Sequence, residues 1–100
     1  GVEKLVKGLR FVKEDELVEE FMEKLAQGLA EYGGPLEKAV DYGAVEKVLV
    51  CEELVEEVKG LLEKVEQLGG KVEIISKENE SAYHAIKSFG GIVGILRFRI

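Results

Sequence analysis

The stretch Gly90-Gly91-Ile92-Val93-Gly94-Ile95-Leu96-Arg97-Phe98-Arg99-Ile100 decides the fold. Its Gly-Gly pair closes the helical pattern before it, and residues 92–100 carry the β-branched and aromatic content of a strand buried on at least one face. So apolar a strand would be an aggregation hazard at an open edge, so it is expected to pair inside a sheet with the earlier elements laid around it. Arg97 and Arg99 alternate with Phe98 and Ile100, which predicts both guanidinium groups on one face and the two apolar side chains on the other. One face is then left to solvent or a partner.

Working back from this strand, Asn79 or Ser81 caps a helix whose apolar side is Ala82, Tyr83, Ala85, Ile86 and Phe89. Val72-Glu73-Ile74-Ile75-Ser76 reads as a buried strand. Before it, Leu54, Val58, Leu61, Val65 and Leu68 recur at helical spacing over a Glu- and Lys-rich face, and Gly69-Gly70 closes that helix. Val45-Glu46-Lys47-Val48-Leu49-Val50-Cys51 runs into a continuous apolar stretch, the pattern of a central strand covered on both faces. Pro35 suits the first residue of a short helix ending at Gly43, with Leu36, Ala39 and Val40 on its apolar side. Leu29-Ala30-Glu31-Tyr32 makes a short strand. A first helix starts at Glu14, buries Leu17, Val18, Phe21, Met22, Leu25 and Ala26, and stops at Gly28. Strands joined by helices give an α/β fold: a three-layer α/β/α sandwich on a mixed, mostly four-stranded sheet.

Residues 1–13 hold four basic side chains and one acidic, a balance unlike that of residues 14–100. They are expected to be the tail of a preceding domain or a linker, with residues 14–100 forming the domain proper. One hundred residues, 46% of them hydrophobic, suit one domain with a single modest core. The net charge of -6, from 14 basic and 20 acidic side chains, disfavours nonspecific nucleic-acid binding. A lone cysteine, Cys51, excludes an internal disulfide and a multi-cysteine zinc site and suits a reducing cytosol. No apolar run reaches membrane-spanning length, so the expected product is soluble, intracellular and not membrane-bound.

Catalytic chemistry is hard to find. His84, the only histidine, sits on a helix without a Cys or second His at ligand spacing and reads as a surface residue. Cys51 reads as a small apolar side chain. The acidic runs Glu14-Asp15-Glu16, Glu19-Glu20, Glu52-Glu53 and Glu56-Glu57 read as solvated helix faces. Neither a phosphate-binding loop nor a dinucleotide fingerprint is present, since Gly90-Gly91-Ile92-Val93-Gly94 precedes a strand. The residues point to a binding domain, with no catalytic residue, metal or cofactor expected.

A resemblance sharpens this. Tyr32-Gly33, Ala39-Val40-Asp41-Tyr42-Gly43-Ala44-Val45-Glu46-Lys47-Val48-Leu49-Val50, Gly70-Lys71-Val72-Glu73-Ile74-Ile75-Ser76 and Phe89-Gly90-Gly91-Ile92-Val93-Gly94-Ile95-Leu96-Arg97-Phe98 stand in that order. Together they resemble the C-terminal domain shared by archaeal and eukaryotic class 1 release factors and the Pelota family, over nearly the whole chain. Residues 1–13 resemble the end of Pelota's central domain. Release factors of this superfamily carry an inserted minidomain, whereas Cys51 here passes through Glu52-Glu53 directly into the helix. That favours Pelota, with a translation-termination release factor as the alternative, and the acidic helices suit an archaeal member.

The resemblance implies ribosome rescue and mRNA surveillance, as in no-go decay. Its C-terminal domain would dock a translational GTPase of the elongation-factor type and the ABC-type recycling ATPase, while the full-length protein meets the ribosome. A disputed divalent-metal-dependent endonuclease activity would belong to the N-terminal domain, so this fragment is expected to be no enzyme. The fold also resembles that of kink-turn RNA-binding ribosomal proteins, which read RNA through an Asn-Glu-x-x-Lys segment before an Arg-Gly. Here Gly34-Pro35-Leu36-Glu37-Lys38 keeps only the Lys, and Tyr42 stands where the Arg would be, so direct RNA binding is not expected. For docking, Arg97 and Arg99 suit carboxylates on a partner or within the domain, and Phe98, Tyr32 and Tyr42 are the candidate interface aromatics.

Overall fold

The structure, a computed structural model, describes the backbone of residues 2–99 and the side chains of residues 13–99. Helix α1 (Val2–Ala26) leads through β1 (Ala30–Tyr32), α2 (Gly34–Asp41) and β2 (Val45–Cys51) to a 3-10 turn (Glu52–Leu54). Helix α3 (Lys59–Gln67), β3 (Lys71–Ile75), α4 (Glu80–Lys87) and β4 (Ile92–Leu96) complete the order. The sheet runs β1-β4-β2-β3, with β4 antiparallel to both neighbours and β2 parallel to β3. The α/β/α sandwich and the mixed four-stranded sheet are as the pattern of elements predicts.

Alternation along the central strands makes two cores, one on each face of the sheet, where chain length alone suggested a single one. Leu49, Cys51, Val93 and Ile95 face α1 and α4, meeting Leu17, Phe21, Ala82 and Ile86. Val48, Val50 and Leu96 face α2 and α3, meeting Leu36, Val40, Leu62 and Val65. β2 is covered on both faces, as its apolar run requires. Gly94 admits α2 to the sheet: an added Cβ would stand 2.5 Å from Leu36 Cδ1. Asn79 caps α4, its side chain accepting from Ala82 N–H at 3.3 Å.

Four expectations need correction. The terminal strand ends at Leu96 rather than Ile100, because Leu96 already pairs with Val45, the first residue of β2. Arg97 N–H then donates to Ala44 O at 2.7 Å and the chain bends, so residues 97–99 do not alternate across a sheet. The Ile100 part of that expectation lies outside the described residues. Secondly, the helix expected from Leu54 onward starts at Lys59. The Glu52 and Glu53 carboxylates are drawn to Lys77 N–H and to the Tyr83 and Lys87 side chains, and Val58 leaves the helical region at φ -109, ψ 19. Thirdly, β3 is an edge strand instead of a buried one, and Ile74 is 48% exposed. Finally, α1 starts at Val2 rather than Glu14, since nothing between them breaks a helix beyond the tolerated Gly8.

Candidate docking surface

Three helices, α1, α2 and α3, finish at the end of the sheet where β4 also ends. Helix C-termini carry unpaired carbonyls and partial negative charge, which favours cations there. The segment after β4 supplies them. Arg97 Nη2 donates to Val45 O at 2.8 Å, and its guanidinium lies over Gly69, just past α3. Arg99 Nη2 donates to Gln27 O at 2.7 Å, just past α1. Both side chains remain exposed, with guanidinium N–H groups in excess of these single acceptors.

Arg97 also lines a hollow with Glu46, Lys47, Gly69 and Lys71. The ladder between β2 and β4 shifts register between Val45 and Lys47, so Glu46 is the extra residue of a bulge at this rim. Lys47 Nζ meets Glu20 at 2.9 Å, and this hydrogen bond raises the Lys47 pKa against the opposing effect of burial.

Of the five residues predicted for docking, four gather at this end. Arg97, Phe98 and Arg99 are consecutive, and Tyr42 closes α2 two residues before Ala44, the acceptor of Arg97 N–H. Phe98 is 46% exposed and Tyr42 67%. Tyr32 is set apart on β1, opposite Val93, where its ring meets Phe89 edge-on at 5.0 Å; Phe89 meets Phe21 in the same manner at 5.0 Å. The structure thus gives Tyr32 a packing role, with an exposed tip.

The opposite end holds a cluster that reading the acidic runs as solvated faces misses. Glu53 accepts from the Tyr83 hydroxyl and from Lys87 Nζ at 2.5 Å, and lies 3.5 Å from Lys77 Nζ. The Lys87 and Tyr83 hydrogen bonds hold the Glu53 carboxyl at a pKa of about 2, and in return raise those of Lys87 and Tyr83. Glu14 is buried and accepts from Ser76 N–H at 2.9 Å, while Asp15 accepts from the Asn79 amide at 3.0 Å. Neither contact has a sequence signal: Glu14 meets a backbone N–H just past β3 and Asp15 the side-chain amide of the α4 cap, 62 and 64 residues along the chain.

Cys51 is buried, its Sγ–H donating to Tyr83 O at 3.9 Å, and burial pushes its thiol pKa up. That environment suits packing rather than nucleophilic chemistry. His84 is exposed, its ring 5.7 Å from that of Tyr83. Among the described residues no group of three or more His, Cys, Asp or Glu side chains could hold a metal ion, and no helix is long and apolar enough to cross a membrane.

The sequence profile of eRF1 domain 3 matches residues 11–100. The chain belongs to the eRF1 domain 3 family. A pelota homolog of Methanocaldococcus jannaschii is 40% identical to it over 95 residues, covering 91% of this chain but 27% of that protein. This eRF1 domain 3 therefore spans little more than a quarter of that relative. In the structure of ribosome-bound archaeal Pelota with ABCE1, Pelota matches 99% of this chain, with 30% of its own length, at 36% identity and a TM-score of 0.79. Dom34 of S. cerevisiae, a translation termination-like factor of RNA quality control that interacts with Hbs1, matches 90% of this chain and 28% of its own length, at 28% identity and a TM-score of 0.80. Domain 3 of this family is a non-catalytic domain.

Proposed function

We propose that this chain is the C-terminal docking domain of a Pelota-like ribosome rescue factor. It serves to bring a translational GTPase and the ABC-type recycling ATPase to a stalled ribosome. The likeness to archaeal Pelota in the complex with the ribosome and ABCE1, over 99% of the chain, carries this reading. The likeness to Dom34, which interacts with Hbs1, supports the GTPase half of it. The direct passage from β2 into the 3-10 turn, with no inserted minidomain, favours the Pelota type over a release factor.

In this reading residues 1–13 are the exit from a preceding central domain and residues 14–100 the docking domain. The factor works in the cytoplasm, and any endonuclease activity belongs to an N-terminal domain beyond this chain. The end of the sheet with Arg97, Phe98, Arg99 and Tyr42 receives a partner surface carrying carboxylates, and Tyr32 contributes from the β1 edge. A net charge of -6, with Tyr42 in place of an RNA-reading Arg, supports a protein partner over RNA.

The test is a pull-down of the purified chain against the GTPase and the ATPase, with a kink-turn RNA probed in parallel. Retention of either protein without an RNA shift is the expected outcome. RNA binding alone would contradict the reading.

A further inference from the structure

The sheet ends on β3, and among the described residues no further strand pairs with its outer edge. Its side chains alternate. Glu73 meets Lys13 of α1 at 3.7 Å and Ile75 is buried against the α1 and α4 layer, so Val72 and Ile74 turn to the α3 side. There a groove of about 370 Å³ runs between β3 and α3, lined by Val55, Leu62, Val72, Ile74, Glu63 and Glu66. Lys59 is its one cation. Ile74 is 48% exposed in it.

Natural edges are blunted by Pro, bulges or Lys. β3 has neither Pro nor a bulge, and Lys71, its only cation, lies on the face opposite Ile74. The other edge, β1, is only three residues long, and its last side chain, Tyr32, sets its ring edge-on against Phe89. β3, five residues long and paired with β2 on its inner edge, turns the N–H and C=O groups of alternate residues outward beside an apolar, acid-rimmed groove.

The geometry points to β3 and α3 as a docking site for an extended, basic, β-branched segment of another protein. This segment adds to β3 as a fifth strand, lays apolar side chains on Val72 and Ile74, and sets Lys or Arg against Glu63 and Glu66. Charge complementarity selects this occupant. A second copy brings another net -6, and antiparallel self-pairing centred on Glu73 sets two carboxylates opposite each other. A one-residue slip moves Val72 and Ile74 out of facing register. The groove shares no lining residue with the hollow beside Arg97 and stands whether or not that end binds the rescue partners.

The probe is an end-blocked eight-residue synthetic peptide with valines at positions 3 and 5, lysines at positions 1 and 7 and threonines elsewhere, so that valines and lysines share the strand face turned to α3, titrated into the isotope-labelled chain and followed by backbone amide shifts. Shifts and slowed amide exchange concentrated at residues 71–75 and along α3 are expected. Ile74→Lys, a half-exposed position that should keep the thermal midpoint, is expected to weaken binding roughly tenfold. Glu63→Lys with Glu66→Lys should transfer the preference to the peptide with glutamates in place of lysines. Equal binding of a scrambled peptide of the same composition, wild-type affinity in Ile74→Lys, shifts centred elsewhere, self-association through β3, or no binding would each overturn the site.

Discussion

Where α1, α2 and α3 finish, Arg97 and Arg99 donate to the backbone carbonyls of Val45 and Gln27; at the other end of the sheet, Glu53 draws Tyr83, Lys77 and Lys87 together. The first arrangement uses one N–H group of each exposed guanidinium and leaves the others in excess. The second concentrates several side chains on one carboxylate and ties the turn after β2 to α4. Charge at the Glu53 end is satisfied within the domain, while charge at the arginine end is positioned and still available. Substitutions at the two ends should therefore separate stability from binding.

The largest expected effect is Gly91→Ala, at the Glu53 end. Gly91 has φ +91, and a Cβ there would collide with Leu54 Cδ1. Backbone strain and overpacking together should cost about 3 kcal/mol, read as a lowered urea midpoint. Gly69→Ala is its counterpart at the arginine end. The φ of +88 is as unfavourable, but the nearest side-chain atom is Arg97 Nη1 at 3.9 Å, so the loss should be nearer ~1–2 kcal/mol, that of backbone strain alone. Equal losses in the two variants would remove the packing difference between the ends.

Arg97→Ala should cost about 1 kcal/mol through the lost bond to Val45 O, by the same urea measurement. Glu53→Gln should change how stability depends on pH. The folded carboxyl titrates at about 2, below its ordinary 4.5, so its contribution is present above pH 4.5 and is lost as pH falls toward 2. Wild type and variant should differ at neutral pH and converge in acid, and parallel curves would mean that the cluster does not hold Glu53 ionised. Smallest of all, Tyr42→Ala should move the midpoint by less than about 0.5 kcal/mol, because the side chain is mostly in water.

How much of this is legible in the sequence depends on what each signal measures. β2 can be placed from Val45 to Cys51 because a strand buried on both faces writes a continuous apolar run. Asn79 is legible as a cap, and Gly28 as a stop, because local chemistry sets both. Neighbours in space are not legible. Ile74 and Ile75 look alike in sequence, yet one is half exposed and the other buried, because alternation turns Ile75 into the α1 and α4 layer and Ile74 to the α3 side, which strand order leaves open at the sheet edge. Arg97 and Arg99 stand out as candidates, but alternation assumes a strand through Ile100, and β4 ends at Leu96 where its partner β2 runs out. Glu53 reads as part of a solvated face because its partners Tyr83 and Lys87 lie 30 and 34 residues away.

The central claim is that the arginine end docks a protein partner. Its most direct test is a calorimetric titration of the translational GTPase and the recycling ATPase into the wild-type chain and into the Arg97→Ala/Arg99→Ala variant, with circular dichroism to establish that the variant is folded. The account predicts at least a roughly tenfold weaker affinity for one of the two factors in a folded variant. A folded variant that bound both factors with wild-type affinity would contradict it.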